Sequence, residues 1–295
     1  MSLRITELTD LDPDRTASSR RLAWLASGPA GIPVGSAFLR LFTSPGQDHL
    51  AELELAVHPA ERRHGTGSQL LAAAVATARA EGRRHVTAQA EADSPGDLFL
   101  SALGFRKVQT MIFTRLALAR VDIAALREII RQPRPGYRLE SWDGTVPDEL
   151  AETFTASRRA MDDMPTDDAD YPTVTWDVDR VRAVAQAVGK RGDLLHTVAA
   201  VRVADGVIVG FTELVVPGGR TGDGQHYGTG VLPEHRGLGL GRWMKAEAIR
   251  QAIEYHPRLE GLLTDTAASN RPMRAINDEF GYAPTHTTLR YQLDL

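Results

Sequence analysis

Two segments of this chain carry the same residue types at the same spacing. They share a proline, an arginine and two glycines, 174 residues apart: Pro59, Arg62, Gly65 and Gly67, then Pro233, Arg236, Gly239 and Gly241. In each copy a strand-like run precedes the turn and a helix-like run follows it. A Gly-rich turn that opens a helix presents backbone N–H groups at the positive end of the helix dipole, where a pyrophosphate binds well. The repeat therefore predicts a phosphate-bearing ligand and a chain of two similar halves.

The repeat extends beyond the turns. Leu103-Gly104-Phe105 recurs as Phe280-Gly281-Tyr282, 177 residues later. Each half reads as strand, helical region, two or three strands, Gly turn, helix, strand, helix and final strand. At 295 residues the chain has room for two domains. We predict an N-terminal domain over residues 1–118, a linker helix within 119–136 and a C-terminal domain over 137–295.

Composition excludes several classes of function. The net charge is −4 and the pI is about 6.1, so a nucleic-acid partner is not expected. Cysteine is absent, which excludes thiolate nucleophiles and Cys-ligated metals, and the nine histidines never form His-Glu-x-x-His, so no metal site is expected. The first residues lack the apolar core of a signal peptide, and no run approaches the ~18 apolar residues of a membrane span. We expect a cytoplasmic protein with no membrane partner.

The helices after the two turns differ in predicted character. Residues 68–80 are rich in alanine and leucine and are expected to be well buried. Residues 242–255 alternate apolar and charged side chains as an amphipathic helix does. Lys245 lies on this second helix, and its ammonium is expected either in solvent or at a phosphate.

The doubled Arg-x-x-Gly-x-Gly turn, together with the Gly-aromatic pairs, resembles the GCN5-related N-acetyltransferase (GNAT) superfamily in tandem form. The second half is similar to an actinobacterial-type subgroup through residues 235–245 and 264–277. The resemblance covers most of the chain. It implies an α/β (α+β) fold of two tandem GNAT domains, each a mixed, mostly antiparallel sheet flanked by helices. It also implies that the sheet splays between its fourth and fifth strands, where the thioester arm lies.

Acetyl-CoA is the cofactor that this resemblance implies, and the turns are its pyrophosphate loops. In the second half the implied contacts are Val231, Arg236, Gly237, Leu238, Gly239, Leu240, Gly241, Arg242 and Asn270. In the first half they are Val57, Arg62, Arg63, His64, Gly65, Thr66, Gly67 and Ser68. Arginine is an apt partner for phosphate oxygens because its guanidinium offers paired donors.

Acetyl transfer to an amine also needs a base for the attacking nitrogen. Glu213 shares an apolar strand face with Val209 and Phe211, where desolvation would raise the pKa of its carboxyl toward that of a general base. The alternative is a buried glutamate satisfied by hydrogen bonds. On the next strand, Tyr227 and Thr229 are candidates for orienting the substrate, and His226 is a further candidate base. Glu52 and Glu54 of the first half face away from the apolar stripe and are better explained by solvent or an interface.

The chain departs from the family pattern at the acid that protonates the leaving thiolate. Many members carry a tyrosine four residues before the Gly-aromatic pair, where this chain has Asn277 in the second half and Leu100 in the first. Asn270 has no asparagine counterpart near Asp93. We therefore expect the second half to catalyse and the first to serve binding or architecture.

The acceptor is indicated only by an acidic loop with Asp162, Asp163, Asp167 and Asp168, followed by Trp176. These residues either attract a cationic amine or form a solvated charge run. We predict an acetyl-CoA-dependent N-acetyltransferase that acts on a small-molecule amine in a ternary complex, as a monomer or homodimer. The alternatives are a non-catalytic acyl-CoA-binding or sensing protein, and an acetyltransferase for protein N-termini or lysines.

Overall fold

A computed structural model describes residues 3–8, 19–29, 31–43, 46–170 and 175–295. The elements before the linker are, in order, β1 (Arg4–Leu8), β2 (Ser19–Ser27), β3 (Pro33–Phe42), β4 (Leu50–Val57), α1 (Thr66–Ala80), β5 (His85–Glu91), α2 (Pro95–Ala102) and β6 (Arg106–Ala117). The helical region that we predicted between the first two strands falls on residues 9–18, outside the described residues.

The linker holds helix α3 (Ile123–Arg131), as the sequence predicted. Asp122 begins it, because its carboxylate accepts hydrogen bonds from the N–H groups of Ala124 and Ala125. The elements that follow are β7 (Tyr137–Asp143), α4 (Asp148–Ser157), α5 (Val178–Lys190), β8 (Leu194–Arg202), β9 (Ile208–Val216), β10 (Gly222–Val231), α6 (Leu240–Tyr255), β11 (Leu259–Ala267), α7 (Arg271–Phe280) and β12 (Ala283–Asp294). Short 3-10 turns lie at 59–61, 118–120, 158–161 and 233–235.

The chain forms two compact units whose boundaries differ from the predicted domains. Unit 1 contains residues 1–110, 166–172 and 287–295, and unit 2 contains 111–165 and 173–286. Within unit 1 the strand order is β1-β2-β3-β4-β5-β12, and within unit 2 it is β6-β11-β10-β9-β8-β7. Each unit therefore receives its last strand from the other half of the sequence. A boundary drawn in the linker does not anticipate this exchange, because both exchanged strands have ordinary strand patterns.

Each sheet is mixed and mostly antiparallel, as expected. Parallel pairing occurs between β4 and β5 and between β10 and β11. In unit 2 this parallel pairing ends at Gln225 opposite Leu263, and among the described residues the rest of β10 is not paired with β11. The two strands diverge from that point. The splay that the family resemblance implied between the fourth and fifth strands is present.

The core of unit 1 lies between its sheet and α1, and it is apolar. Its fully buried side chains include Leu39, Leu41, Leu70 and Val86. In unit 2, α6 packs on β8, β9 and α3, and the fully buried set includes Phe211, Leu240, Met244, Ile249 and Lys245. Removing apolar side chains from water supplies most of the stability of both units.

The predicted character of the two helices is wrong for α6. Its buried residues are Leu240, Trp243, Met244, Lys245, Ala246, Ala248, Ile249, Gln251 and Ala252, so the helix is buried around most of its surface. Lys245 is 1% exposed, which excludes the solvent position expected for it. The physical reason is that α3 from the linker covers the outer face of α6, where Trp243 Nε1 donates a hydrogen bond to the carbonyl of Ile130 at 3.0 Å. No helix in the described ranges is long and apolar enough to cross a membrane.

Candidate functional site

The turn before α6 is shaped to receive an anion. Gly239 caps the helix with φ +74°, and Gly237 has φ +78°; glycine adopts these left-handed conformations without steric cost. No side chain caps α6, so its first N–H groups are not occupied by a capping oxygen. The side chain of Leu238 is half exposed, and nothing lies within 4 Å of where a Cβ on Gly237 would be. These features form a cradle for phosphate oxygens at the positive end of the helix.

Arg236 holds this turn in place. Its Nε donates to the carbonyl of Val231 at 2.8 Å, and its Nη1 and Nη2 donate to Asp163 at 2.6 and 2.7 Å. The hydrogen-bonded guanidinium of Arg236 lowers the pKa of the Asp163 carboxyl. The geometry therefore favours a supporting role for Arg236 over the predicted phosphate contact, and a role for Asp163 in this ion pair over both the attraction of a cationic amine and a solvated charge run. The two side chains neutralise each other and tie the turn to the segment after α4.

Arg134 is a site residue that the sequence analysis missed. A Cβ atom on Gly239 would lie 3.6 Å from both Nε and Nη2 of Arg134, so the guanidinium stands beside the turn. Its Nε is buried and has no hydrogen-bond partner among the described residues. Pro133 and Pro135 dominate the pattern of the linker, which predicts a domain boundary and does not single out Arg134. An arginine within a few residues of a repeat boundary is the signal that could have pointed to it.

The turn before α1 in unit 1 has the same backbone but different surroundings. Gly65 caps α1 with φ +83°, and the Nε of Arg62 donates to the carbonyl of Val57 at 3.2 Å. Here, however, the ring of Phe99 on α2 would lie 3.2 Å from a Cβ on Gly67. At Gly241 the nearest atoms, from Val231, Ile276 and Thr229, stand at 3.7–3.9 Å. The groove beside the helix start is narrower in unit 1.

The other residues predicted to contact coenzyme A in the two turns contribute to the local structure of the turns and helices. Arg63 has the left-handed φ of +67° where the second copy has glycine, and Thr66 is buried at the start of α1. His64 and Ser68 lie in the same turn and its first helical residues. Arg242 pairs with Glu279 through its Nε at 2.8 Å, which joins α6 to α7.

Asn270 caps a helix. Its Oδ1 accepts a hydrogen bond from the N–H of Met273 at 3.3 Å, which begins α7. In unit 1, Ser94 does the same for α2 by accepting from the N–H of Asp97 at 3.2 Å. The absence of an asparagine near Asp93 is therefore not an absence of function, because serine caps equally well.

Strand β10 has a β-bulge that β4 lacks. His226 pairs with Leu214 of β9 and Gly228 with Glu213, so Tyr227 is an extra residue without a partner in the register. The pairing of β3 with β4 runs without a shift. A bulge leaves backbone groups unpaired, and this one lies where β10 begins to diverge from β11. The parallel pairing of β4 with β5 likewise stops partway, at Leu53 opposite Ala88, so among the residues described it is the bulge that distinguishes unit 2.

Tyr227 is the extra residue of this bulge, and Thr229 follows it by two positions, opposite Thr212. The Tyr227 side chain is 50% exposed, and its hydroxyl accepts a hydrogen bond from Arg191 at 3.0 Å. The hydroxyls of Thr229 and Thr212 lie 2.7 Å apart and share a hydrogen bond. Both residues lie on β10 beyond Gln225, where its pairing with β11 stops, and the bulge interrupts the regular alternation from which a shared strand face was predicted.

Glu213 is held in a buried ion pair. Arg158 donates to both of its carboxylate oxygens, at 2.8 Å from Nη1 and 2.5 Å from Nη2, and both side chains are under 10% exposed. The guanidinium of Arg158 stacks against the rings of Phe154, Phe211 and Trp176 at 4.5–4.8 Å. With both oxygens engaged, the geometry favours the second alternative for Glu213, a buried glutamate satisfied by hydrogen bonds. Trp176 covers Arg158, and no pattern in the sequence distinguished that arginine from its neighbours.

The acidic loop does not act as one cluster. Asp162 is exposed and Asp163 pairs with Arg236 in unit 2. Asp167 and Asp168 belong to unit 1, where Asp168 lies 3.9 Å from Arg106. The described residues contain no group of three or more His, Asp or Glu side chains arranged to hold a metal ion.

A buried polar group fills the base of the splay. Lys245 Nζ lies 2.5 Å from Asn277 Oδ1, and Asn277 Nδ2 donates to the hydroxyl of Thr266 at 3.2 Å. The ring of Tyr282 lies 4.6 Å from the ammonium, and His226 completes the group from β10. We call these five residues the splay-base cluster. Burial lowers the pKa of Lys245 to about 7 and, together with the charge of Lys245, places the pKa of His226 well below its ordinary value.

Comparison with known proteins identifies the family. The profile described as "Acetyltransferase (GNAT) family" matches residues 5–105 and 161–282. A mycothiol acetyltransferase of Clavibacter michiganensis subsp. michiganensis is 30% identical over 76% of this chain and 65% of its own length. A second, from Stackebrandtia nassauensis, is 30% identical over 75% of this chain and 66% of its own length. The matches thus span just under two thirds of both relatives.

A solved structure shares the whole fold. A tandem GNAT protein from the clavulanic acid biosynthesis pathway, solved without AcCoA, superposes with a TM-score of 0.76 at 22% identity, over 99% of this chain and 98% of its own. The family profile matches once in each half, and each match contains one of the two Gly-rich turns. This chain belongs to the acetyltransferase (GNAT) family.

Proposed function

We propose that this protein is an N-acetyltransferase that transfers the acetyl group of acetyl-CoA to the amine of a small molecule by direct attack in a ternary complex. The observation that carries the proposal is the uncapped start of α6, where Gly237 and Gly239 leave N–H groups free beside the guanidinium of Arg134. Family membership and two relatives named as acetyltransferases support the same reaction.

The residues present fit coenzyme A in unit 2. The turn at 236–241 and Arg134 would hold its phosphates, and the diverging strands β10 and β11 leave a groove for the thioester arm. Bound there, the thioester supplies an activated acetyl group. Arg236, Arg242 and Asn270 keep the cradle in shape through Asp163, Glu279 and the start of α7.

The acceptor would enter from the side of the bulge. The unpaired backbone at Tyr227 and the hydroxyl of Thr229 are placed to orient an amine and the acetyl carbonyl. Asp162, exposed near this face, adds negative charge that attracts a cation. Arg158, Glu213 and Trp176 form a rigid floor on this side, and the proton of the amine leaves to solvent or to a group of the acceptor itself.

One unit suffices for this function. Phe99 narrows the groove beside Gly67, and β4 has no bulge, so unit 1 lacks two features that a thioester arm requires. The turn of unit 1 is then an architectural copy. In this proposal Val57, Arg62 and Gly65 shape α1 and hold no coenzyme.

Release of coenzyme A thiol in the presence of acetyl-CoA and a panel of amines tests the function. The panel should include small primary amines, amino sugars and peptides with free N-termini or lysines. We expect release above hydrolysis with at least one small amine, and its loss in Gly241→Leu but not in Gly67→Leu. Release with peptides alone would favour a protein acetyltransferase. No release with any amine, with coenzyme still bound, would favour the acyl-CoA-binding alternative. The cytoplasmic location and the monomeric or homodimeric state stay predictions.

A further inference from the structure

The fold does not require the splay-base cluster. The repeat relates Lys245, Asn277 and Tyr282 to Leu71, Leu100 and Phe105 of the first half. All three residues of the first half are buried members of the apolar core of unit 1. The same positions in the same fold are thus packed with apolar side chains in unit 1, which in the proposed function holds no coenzyme. The polar residues of unit 2 need another explanation.

The cluster holds the amine of Lys245 without a carboxylate beside it. No carboxylate of the described chain lies within 4.0 Å of Lys245 Nζ, whose polar partner is the neutral amide of Asn277. Burying an ammonium is costly unless an anion or hydrogen bonds compensate it. The titratable groups packed against it are His226 on β10 and Tyr282 before β12, while β11 and α7 present Thr266 and Asn277. None of these supplies a negative charge at neutral pH.

The cluster also contains polar atoms with no partner. The hydroxyl of Tyr282 has no hydrogen-bond partner among the described residues, and the ring of His226, which is 3% exposed, has none except the backbone of Glu213. Buried polar atoms in native proteins are nearly always paired, so a group of them indicates a ligand that completes the set. The ligand must be small or slender, because α6, α7 and two strands enclose the site.

The position of the cluster points to the thioester end of the arm. Pairing of β10 with β11 stops at Gln225, so His226 is the first residue of the opening. Val231, at the other end of β10, adjoins the phosphate turn. Five residues of strand span about 16–17 Å at about 3.3 Å per residue, a length that an extended pantetheine arm also has. An arm anchored at the turn would therefore bring its sulfur to the splay-base cluster.

We propose that Lys245 is the proton donor to the thiolate that leaves when the acetyl group is transferred, a catalytic residue that replaces the missing tyrosine at position 277. The proposal rests on the proposed function. As the amine nitrogen forms its bond to the acetyl carbon, the C–S bond breaks with its electron pair on sulfur. The ammonium of Lys245 gives that sulfur a proton. The proton lost by the amine passes to solvent, from which Lys245 is recharged.

The residue type fits this task. The chain has only three lysines, Lys107, Lys190 and Lys245, against 34 lysines and arginines in all. Arginine cannot release a proton in a protein, whereas the pKa of lysine responds to burial. At about 7, the pKa of Lys245 lets it donate near neutral pH. Asn277 fixes the ammonium by accepting one hydrogen bond, and the family's tyrosine would occupy that space.

The decisive readout is the pKa of the thiol of bound coenzyme A, followed by thiolate absorbance, which needs no acceptor and no turnover. A neighbouring ammonium should lower this pKa in the wild type by about one unit or more relative to free coenzyme A. Lys245→Met should abolish the shift. Lys190→Met, at an exposed site on α5, should retain it. An equal thiol pKa in wild type and Lys245→Met overturns the proposal.

Turnover measurements distinguish a Lys245 that donates a proton from a Lys245 that supplies only a positive charge. Lys245→Arg should retain the lowered thiol pKa while turnover falls about a hundredfold or more, because general-acid catalysis is lost. Unchanged turnover in Lys245→Arg overturns proton donation. If neither variant folds, NMR of the lysine side chains in the wild type still decides. The chain has only three lysine signals, and one of them should titrate near pH 7. Its pKa should rise when coenzyme A is added. Failure to bind coenzyme A overturns the proposed function as well, whereas binding without any thiol shift overturns only the role of Lys245.

Discussion

Arg158 and Glu213 form a buried ion pair in which both carboxylate oxygens of Glu213 accept hydrogen bonds, and the guanidinium is enclosed by three aromatic rings. The pair joins the 3-10 turn after α4 to the middle of β9, opposite the bulge in β10. It explains why a glutamate can stand on an apolar strand face. Its position beneath the acceptor side makes it a structural floor.

This pair should respond to single and double substitutions differently. Arg158→Met leaves the Glu213 carboxylate buried without a partner and should lower the free energy of unfolding by about 3–5 kcal/mol. Replacing both residues by methionine should restore most of that loss, because no buried charge is left. Urea unfolding of the two variants measures this. Equal losses in both would mean that the pair itself supplies the stability.

The Arg236–Asp163 pair predicts how acetyl-CoA affinity changes when either side chain is replaced. If Arg236 serves to hold the turn, Asp163→Asn should weaken acetyl-CoA binding severalfold, in the same direction as Arg236→Met. Calorimetric titration gives both affinities. Tighter binding in Asp163→Asn would instead mean that removing the carboxylate frees Arg236 for the phosphates, as the sequence had suggested. Asp162→Asn, next to it and without an ion pair among the described residues, is the matched control.

Arg134 should contribute directly to coenzyme affinity. Arg134→Met removes the guanidinium beside Gly239 and should weaken acetyl-CoA binding about tenfold, the effect of one hydrogen bond to a charged group. Arg131→Met changes an exposed arginine at the end of α3 and should leave the affinity unchanged. The comparison is made at fixed salt, because screening weakens both charges. Equal affinities for the two variants would place Arg134 outside the site.

The buried Lys245 makes stability depend on pH in a defined direction. Its pKa is about 7 in the folded protein against 10.5 ordinarily. Between these values the unfolded chain binds more protons, so stability rises with pH by about 1.4 kcal/mol per unit; below about pH 7 both states are protonated and the dependence ends. Between pH 7 and 9 the wild type should gain about 2–3 kcal/mol more than Lys245→Met does. Denaturant titrations at both pH values measure the difference, and parallel pH dependences would refute the assignment.

Much of the fold could be predicted because its signals are local. The Gly turns, helix α3 and the strand before each turn follow from residues within a few positions of one another. The exchange of β6 and β12 could not be predicted, since the strand pattern of residues 106–117 fits either unit. The burial of α6 was missed for the same reason, because the partner that covers it comes from the linker.

The candidate site also has a part that local sequence predicts and a part that depends on distant contacts. The turn at 236–241 depends on local spacing, and the sequence revealed it. The bulge at Tyr227 could not be predicted, because it interrupts the regular alternation on which strand positions are predicted. The partners of Glu213, Arg236 and Lys245 lie 32–73 residues away in the sequence. Such pairings depend on the packing of whole elements. For all three residues, which the sequence had singled out, these partners favour a role that differs from the predicted one.

The number of acetyl-CoA molecules bound tests the central claim, that the chain has one coenzyme site and that it lies at residues 236–241. Native mass spectrometry should find one equivalent on the wild type, none on Gly241→Leu, whose side chain enters the groove between β10 and α7, and one on Gly67→Leu. Two equivalents on the wild type, or a loss caused only by Gly67→Leu, would contradict the account.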